Sequence, residues 1–142
     1  MLYTDATRRA MKVAYDAHHG QLDKGGVPYV FHPIHLAEQM DTEDEICAAL
    51  LHDVIEDTSV TADELYAMGF SDSVMAILAL LTHDKSVPYL DYVCAIKNSK
   101  YAAAIKIKLA DLHHNSDPSR ASGDNNPERM AKYKEAIRIL TE

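Results

Sequence analysis

The stretch LLHDVIEDT, Leu50–Thr58, sets a His, two Asp and a Glu into an apolar run. On a helix, residues three or four apart share an edge, so His52 meets Glu56, and Asp53 meets both Glu56 and Asp57. His52 and Asp53 stand about 100° apart around the axis and can approach one ion from adjacent directions. A buried charge without a partner is costly, so these groups must pair with one another or bind a metal. Taken alone, the segment fits a structural polar network at a helix end as well as it fits a site.

Two further residues share its character. Asp111 is set into a helix between AIKIKLA and LHHN, and His32 opens a helix just after an apolar patch. His32, His52, Asp53 and Asp111 together offer two imidazoles and two carboxylates. That mixed set suits Mn, Fe or Zn better than Ca, which takes oxygen ligands. Four protein ligands leave room for water only above four-coordination, which favours Mn or Fe over tetrahedral Zn.

The chain that must position these groups has 142 residues, suited to one domain with one core. Hydrophobic residues make up 47%, ordinary for a globular protein. No apolar run is long enough for a membrane helix, and no signal segment follows Met1. Cys47 and Cys94 have no redox or metal spacing and read as reduced thiols in a cytoplasmic protein. A net charge of −8 argues against general binding to nucleic acid or anionic membranes. No surface stripe identifies an oligomer interface.

Periodicity is helical nearly throughout. Ala6, Ala10, Val13 and Ala17 share one face of a first helix, closed near Gly20. DKGGVPYVF reads as a loop, and His32-Pro33 opens a short helix to about Met40. Thr42 to Glu45 has the form of a capping box before one continuous helix, EICAALLHDVIED. Thr61 to Glu64 repeats that signal, and Ser71 caps a helix striped by Val74, Ile77, Leu78 and Leu81. Helices follow after Pro88 and from about Lys100, DPSRASGDNN is a loop, and Asn126-Pro127 starts a last helix. The expectation is an all-α bundle of about seven helices in a single domain over 1–142.

The remaining polar candidates read more plainly. His18 and His19 close the first helix, where a cation is favourable. His35, His83 and His113 carry no assigned role. Tyr89 and Tyr92 read as core or pocket wall, and Lys106 and Lys108 as solvated helix residues.

The order His32…His52-Asp53…Asp111 resembles the signature of the HD superfamily of metal-dependent phosphohydrolases. GQLDKGGVPYVFHP, ALLHDVIEDT and KLADLHHN resemble, more closely, the hydrolase domain of RelA/SpoT enzymes, which degrade (p)ppGpp. The resemblance implies an HD-domain helical bundle in which His32, His52, Asp53 and Asp111 hold manganese. It implies Glu56 and Asp57 as the catalytic acid pair that activates and positions water. Asn115 matches a nucleotide contact, Lys24 a basic residue at the site mouth, and His114 a family histidine that supports the site. The implied reaction is hydrolysis of the 3′-pyrophosphate of (p)ppGpp to GDP or GTP and pyrophosphate. The length leaves no room for a synthetase domain, so the chain resembles a small stand-alone hydrolase.

Two positions depart from the pattern. Asp23 stands where many relatives have Arg, and Leu112 where they commonly have Arg. Lys106, Lys108 or Arg120 would have to compensate for those cations. The departures keep open the same machinery acting on another nucleotide or NADPH. A non-catalytic metal- or nucleotide-binding module is the third reading, opposed by the intact Glu56-Asp57 pair.

Overall fold

The structure is a computed structural model and describes residues 1–120 and 126–142. Among the described residues the chain forms nine helices and no strand, bearing out the all-α expectation. They are α1 Asp5–Ala17, α2 Phe31–Ala37, α3 Glu43–Leu51, α4 Val54–Asp57, α5 Ala62–Ala67, α6 Asp72–Leu81, α7 Tyr89–Ser99, α8 Ala102–Asn115 and α9 Pro127–Thr141. An isolated antiparallel bridge pairs Leu22 with Pro28 in the loop before α2. Of the expected loop DPSRASGDNN, residues 121–125 lie outside the described residues.

Most helix starts follow from local chemistry. The Thr42 and Thr61 hydroxyls accept from the N–H groups of Glu45 and Glu64, whose side chains reach back to the cap backbone. Ser71 caps α6, and Asn126 caps α9 with Pro127 behind it. Thr4 makes a further capping box with Thr7 at α1.

α3 is the centre of the bundle. It packs against α1, α2, α6 and α8, and every residue from Ile46 to Leu51 is buried. Burying each leucine or isoleucine there contributes about 1.5–3 kcal/mol. Cys47 shares this core, and burial pushes its thiol up to about 12.

The expected continuous helix EICAALLHDVIED is interrupted. α3 ends at Leu51, and α4 begins at Val54. His52 is responsible: its Nδ1 lies 2.7 Å from the Ala49 carbonyl, and its N–H reaches the same oxygen at 3.5 Å. In an unbroken helix that carbonyl would accept from the Asp53 N–H. The chain restarts with Asp53 at φ −102°, ψ −3°, and its carbonyl accepts from Asp57 at 2.9 Å.

Candidate active site

Four side chains meet at the contact of α2, the α3–α4 break and α8. His32 Nε2 lies 2.9 Å from Asp111 Oδ1 and 3.7 Å from Asp53 Oδ2. His52 Nε2 lies 3.0 Å from Asp53 Oδ2 and 3.5 Å from Asp111 Oδ1. One ligand atom from each of the four falls within 4.8 Å of all the others.

The electrostatics of this cluster call for a cation. Burial alone would push both carboxyls up. For Asp111 it is outweighed, first by Lys108 and then by His32 and His52, which hold it well below the usual range. For Asp53 it is outweighed chiefly by His52. Burial lowers His32, whereas His52 is driven well above its ordinary value because Asp53 and Asp111 outweigh its burial. Two facing carboxylates thus favour positive charge at this point. Yet His52 Nε2 is buried and has no aligned hydrogen-bond partner among the described residues. An orphaned imidazole nitrogen between two carboxylate oxygens fits a divalent metal ion.

A surrounding set of contacts fixes each ligand. The Tyr29 hydroxyl donates to Asp53 Oδ2 at 2.5 Å, and its burial together with the Asp53 charge keeps it protonated. Asn115 Nδ2 donates to Asp111 Oδ1 at 3.0 Å, and Lys108 Nζ donates to Oδ2 at 2.9 Å. Lys108 is buried, with Tyr89 and Tyr92 rings 5.5 and 5.3 Å from its ammonium. His32 Nδ1 lies 2.7 Å from His114 Nδ1, and His35 stacks on His114.

Sequence reasoning gave Tyr29 no role and read Lys108 as solvated. The available signals were the place of Tyr29 three residues before His32 and the i,i+3 spacing of Lys108 and Asp111.

A cleft of about 130 Å³ opens onto the cluster and is lined by His52, Asp53, Asp111, Lys108 and Glu56. Glu56 is held there by the His83 N–H at 2.8 Å and by Lys85 at 3.0 Å. His83, unassigned from sequence, thus contacts the site through its backbone. Asp57 is exposed and not part of that lining. Burial, then the charges of Asp53 and Glu56, raise its carboxyl, and Gln21 donates to its backbone carbonyl at 3.0 Å.

A second cavity, of about 250 Å³, is lined by Lys24, Tyr29, Asn115, Arg120, Arg129 and Tyr133 among others. Asn115 joins it to the cluster, since its Oδ1 accepts from Arg120 at 2.9 Å while its Nδ2 donates to Asp111. Lys24 and Asn115 therefore share one cavity, whereas the Glu56 carboxylate faces the neighbouring cleft. Arg129 and Tyr133, one turn apart on α9, were not singled out as cavity residues from the sequence.

The two departures look different in place. Asp23 Oδ1 accepts from the N–H groups of Gly25 and Val27, both at 2.9 Å, and Oδ2 lies 3.8 Å from Arg120 Nε. Its charge organises the loop and faces a cation. Leu112 is fully buried in the core. Of the three cations expected to compensate, Arg120 lines the cavity and Lys108 the cleft. Lys106 instead binds Asp41 at 2.7 Å and Glu45 at 2.9 Å.

Residues 10–117 match the HD domain family. The chain is 34% identical over 155 aligned positions, 94% of its own length, to the bifunctional (p)ppGpp synthase/hydrolase SpoT of Escherichia coli K12, and covers 20% of that protein. It is 44% identical over 79 positions, 52% of its length, to a guanosine-3′,5′-bis(diphosphate) 3′-pyrophosphohydrolase of Vibrio cholerae, covering 11% of it. The chain thus spans a fifth or less of the length of these curated relatives. A solved structure described as a metazoan orthologue of SpoT that hydrolyses ppGpp superposes with a TM-score of 0.80 at 24% identity, covering 99% of this chain and 85% of that one. That likeness is one of fold.

Proposed function

The chain belongs to the HD domain family, and from that premise we propose that it is a metal-dependent hydrolase of the 3′-pyrophosphate of (p)ppGpp, acting as one HD hydrolase domain. One observation carries the proposal: Asn115 forms a wall common to a two-His, two-Asp cluster and a cavity furnished with cations and tyrosines. A nucleoside bearing a pyrophosphate has those two needs, a polar aromatic-lined seat and a cation at the reacting phosphorus. Both curated relatives have this hydrolase activity in their names.

His32, His52, Asp53 and Asp111 would hold the ion, for which we propose Mn²⁺ from the mixed N/O donor set. When bound, such an ion polarises a phosphoryl group and makes nearby water more acidic. The chain's own groups do the rest. Glu56 is fixed by the His83 N–H and Lys85, and its carboxylate is the seat for the proton given up by attacking water. Asp57, with its raised carboxyl, shares the handling of that proton. Water adds to phosphorus, the bond to the 3′-oxygen breaks, and that oxygen takes up the proton from the acid pair and leaves as the ribose hydroxyl. Lys24, Asn115 and Arg120 seat the nucleotide. Among the described residues no helix is long and apolar enough to cross a membrane, and two free thiols suit a cytoplasmic setting.

The test is to incubate the protein and Mn²⁺ with ppGpp, pppGpp, dNTPs and NADPH and to identify the products. GDP and pyrophosphate from ppGpp are expected. Orthophosphate alone, or turnover only of another compound, rejects the substrate assignment. Metal binding without turnover of any of them points to a binding module.

A further inference from the structure

His32 and His114 come from different helices, yet their Nδ1 atoms lie 2.7 Å apart in rings tilted by only 3°. Two imidazole nitrogens at that distance need one proton between them. The other nitrogen of His32, Nε2, lies 2.9 Å from Asp111 Oδ1. With a proton on Nε2, His32 donates to Asp111 and must accept at Nδ1 from His114. With a cation on the Nε2 lone pair, the proton of His32 must sit on Nδ1. His114 must then accept at Nδ1 and carry its own proton on Nε2.

We propose that His114 is a positioning residue that sets the tautomer of His32, and that loading a metal reverses the direction of their hydrogen bond. This rests on the metal reading of the cluster given above. The protons balance without release. The proton on His32 changes from Nε2 to Nδ1, the one on His114 from Nδ1 to Nε2, and both rings remain neutral. Burial of the His32 ring favours that neutrality. Metal-bound imidazoles usually donate to a carboxylate, a carbonyl or water. A carboxylate or carbonyl can only accept, whereas a neutral imidazole can accept or donate. An imidazole partner therefore leaves no unmatched nitrogen at this part-buried contact in either state.

Long-range ¹⁵N–¹H spectra of the wild-type imidazoles test this directly. Without metal, protons are expected on His32 Nε2 and His114 Nδ1. With Zn²⁺ bound, as a diamagnetic probe, they are expected on His32 Nδ1 and His114 Nε2. A His114 tautomer that is the same in both forms overturns the proposal. Mn²⁺ titration calorimetry gives a second readout. His114→Phe should lose roughly 10–100-fold in affinity, as for other groups that orient metal ligands. His114→Gln, whose amide can accept or donate, should stay within about threefold of wild type. Equal affinity in the Phe variant and wild type, or equal loss in both variants, overturns the assignment. A wild type that binds neither ion overturns the metal reading and this proposal together. One that binds both while His114 keeps its tautomer overturns this proposal alone.

Discussion

The Lys108 ammonium lies 2.9 Å from Asp111 Oδ2, while Oδ1 of the same carboxylate lies 2.9 Å from His32. One buried carboxylate is thus shared between a fixed cation of the chain and the cluster that would hold a metal. Breaking such a pair leaves an uncompensated buried charge and costs about 3–5 kcal/mol. Lys108→Met should lose that much stability without metal and less with saturating Mn²⁺, because the ion offers a second counter-charge. Urea unfolding with and without Mn²⁺ measures both. An equal loss in the two conditions would show that no ion reaches Asp111.

Glu56 is held by one backbone N–H and one lysine, neither of which belongs to the four-residue cluster. Glu56→Gln should therefore keep the metal and lose at least about 100-fold in turnover, the low end for acid–base groups. Metal content and steady-state rates, measured on one preparation, separate the two effects. Unchanged turnover removes Glu56 from the chemistry.

Arg120 and Lys106 make opposite predictions. Arg120 lines the cavity and donates to Asn115, whereas Lys106 is committed to Asp41 and Glu45. A hydrogen bond to a charged group contributes about 1.5–3 kcal/mol. Arg120→Ala should raise KM for ppGpp by roughly 10–100-fold on that scale. Lys106→Ala should leave KM and kcat unchanged. A raised KM in the Lys106 variant would mean that the substrate extends past the cavity.

Glu45 offers a pH test far from the metal question. Burial would raise its carboxyl, but the Asp41 N–H, Lys106 and the Thr42 N–H outweigh it and bring it below the ordinary 4.5. The unfolded chain therefore takes up this proton first. The stabilisation is complete above that ordinary value and is lost as pH falls through it toward the lower folded value. Glu45→Gln should flatten the fall in stability on acidification below about pH 5. Denaturant midpoints of both proteins at pH 7, 5 and 4 supply the comparison, and parallel curves would remove Glu45 from the acid response.

Much of this protein was determined by sequence alone, wherever the controlling physics is local. A Thr followed three residues later by Glu satisfies helix-end N–H groups within one turn, so Thr42 and Thr61 announced α3 and α5. The spacing of His32, His52, Asp53 and Asp111, with the motifs around them, marked four groups that the fold brings within 4.8 Å. What spacing could not supply was the direction in which tertiary packing turns each residue. The break after Leu51 arises because the His52 ring takes the Ala49 carbonyl while α3 is buried on every side. Lys106 and Lys108 have the same chemistry in one run of apolar residues, yet one pairs at the surface and the other lies buried against Asp111. Two residues apart on a helix means about 200° around its axis, so whichever way α8 docks, they must face different surroundings. Sequence determined that cations and acids stand on α8; only the docking of α8 against α3 and α6 decided which of them belong to the site.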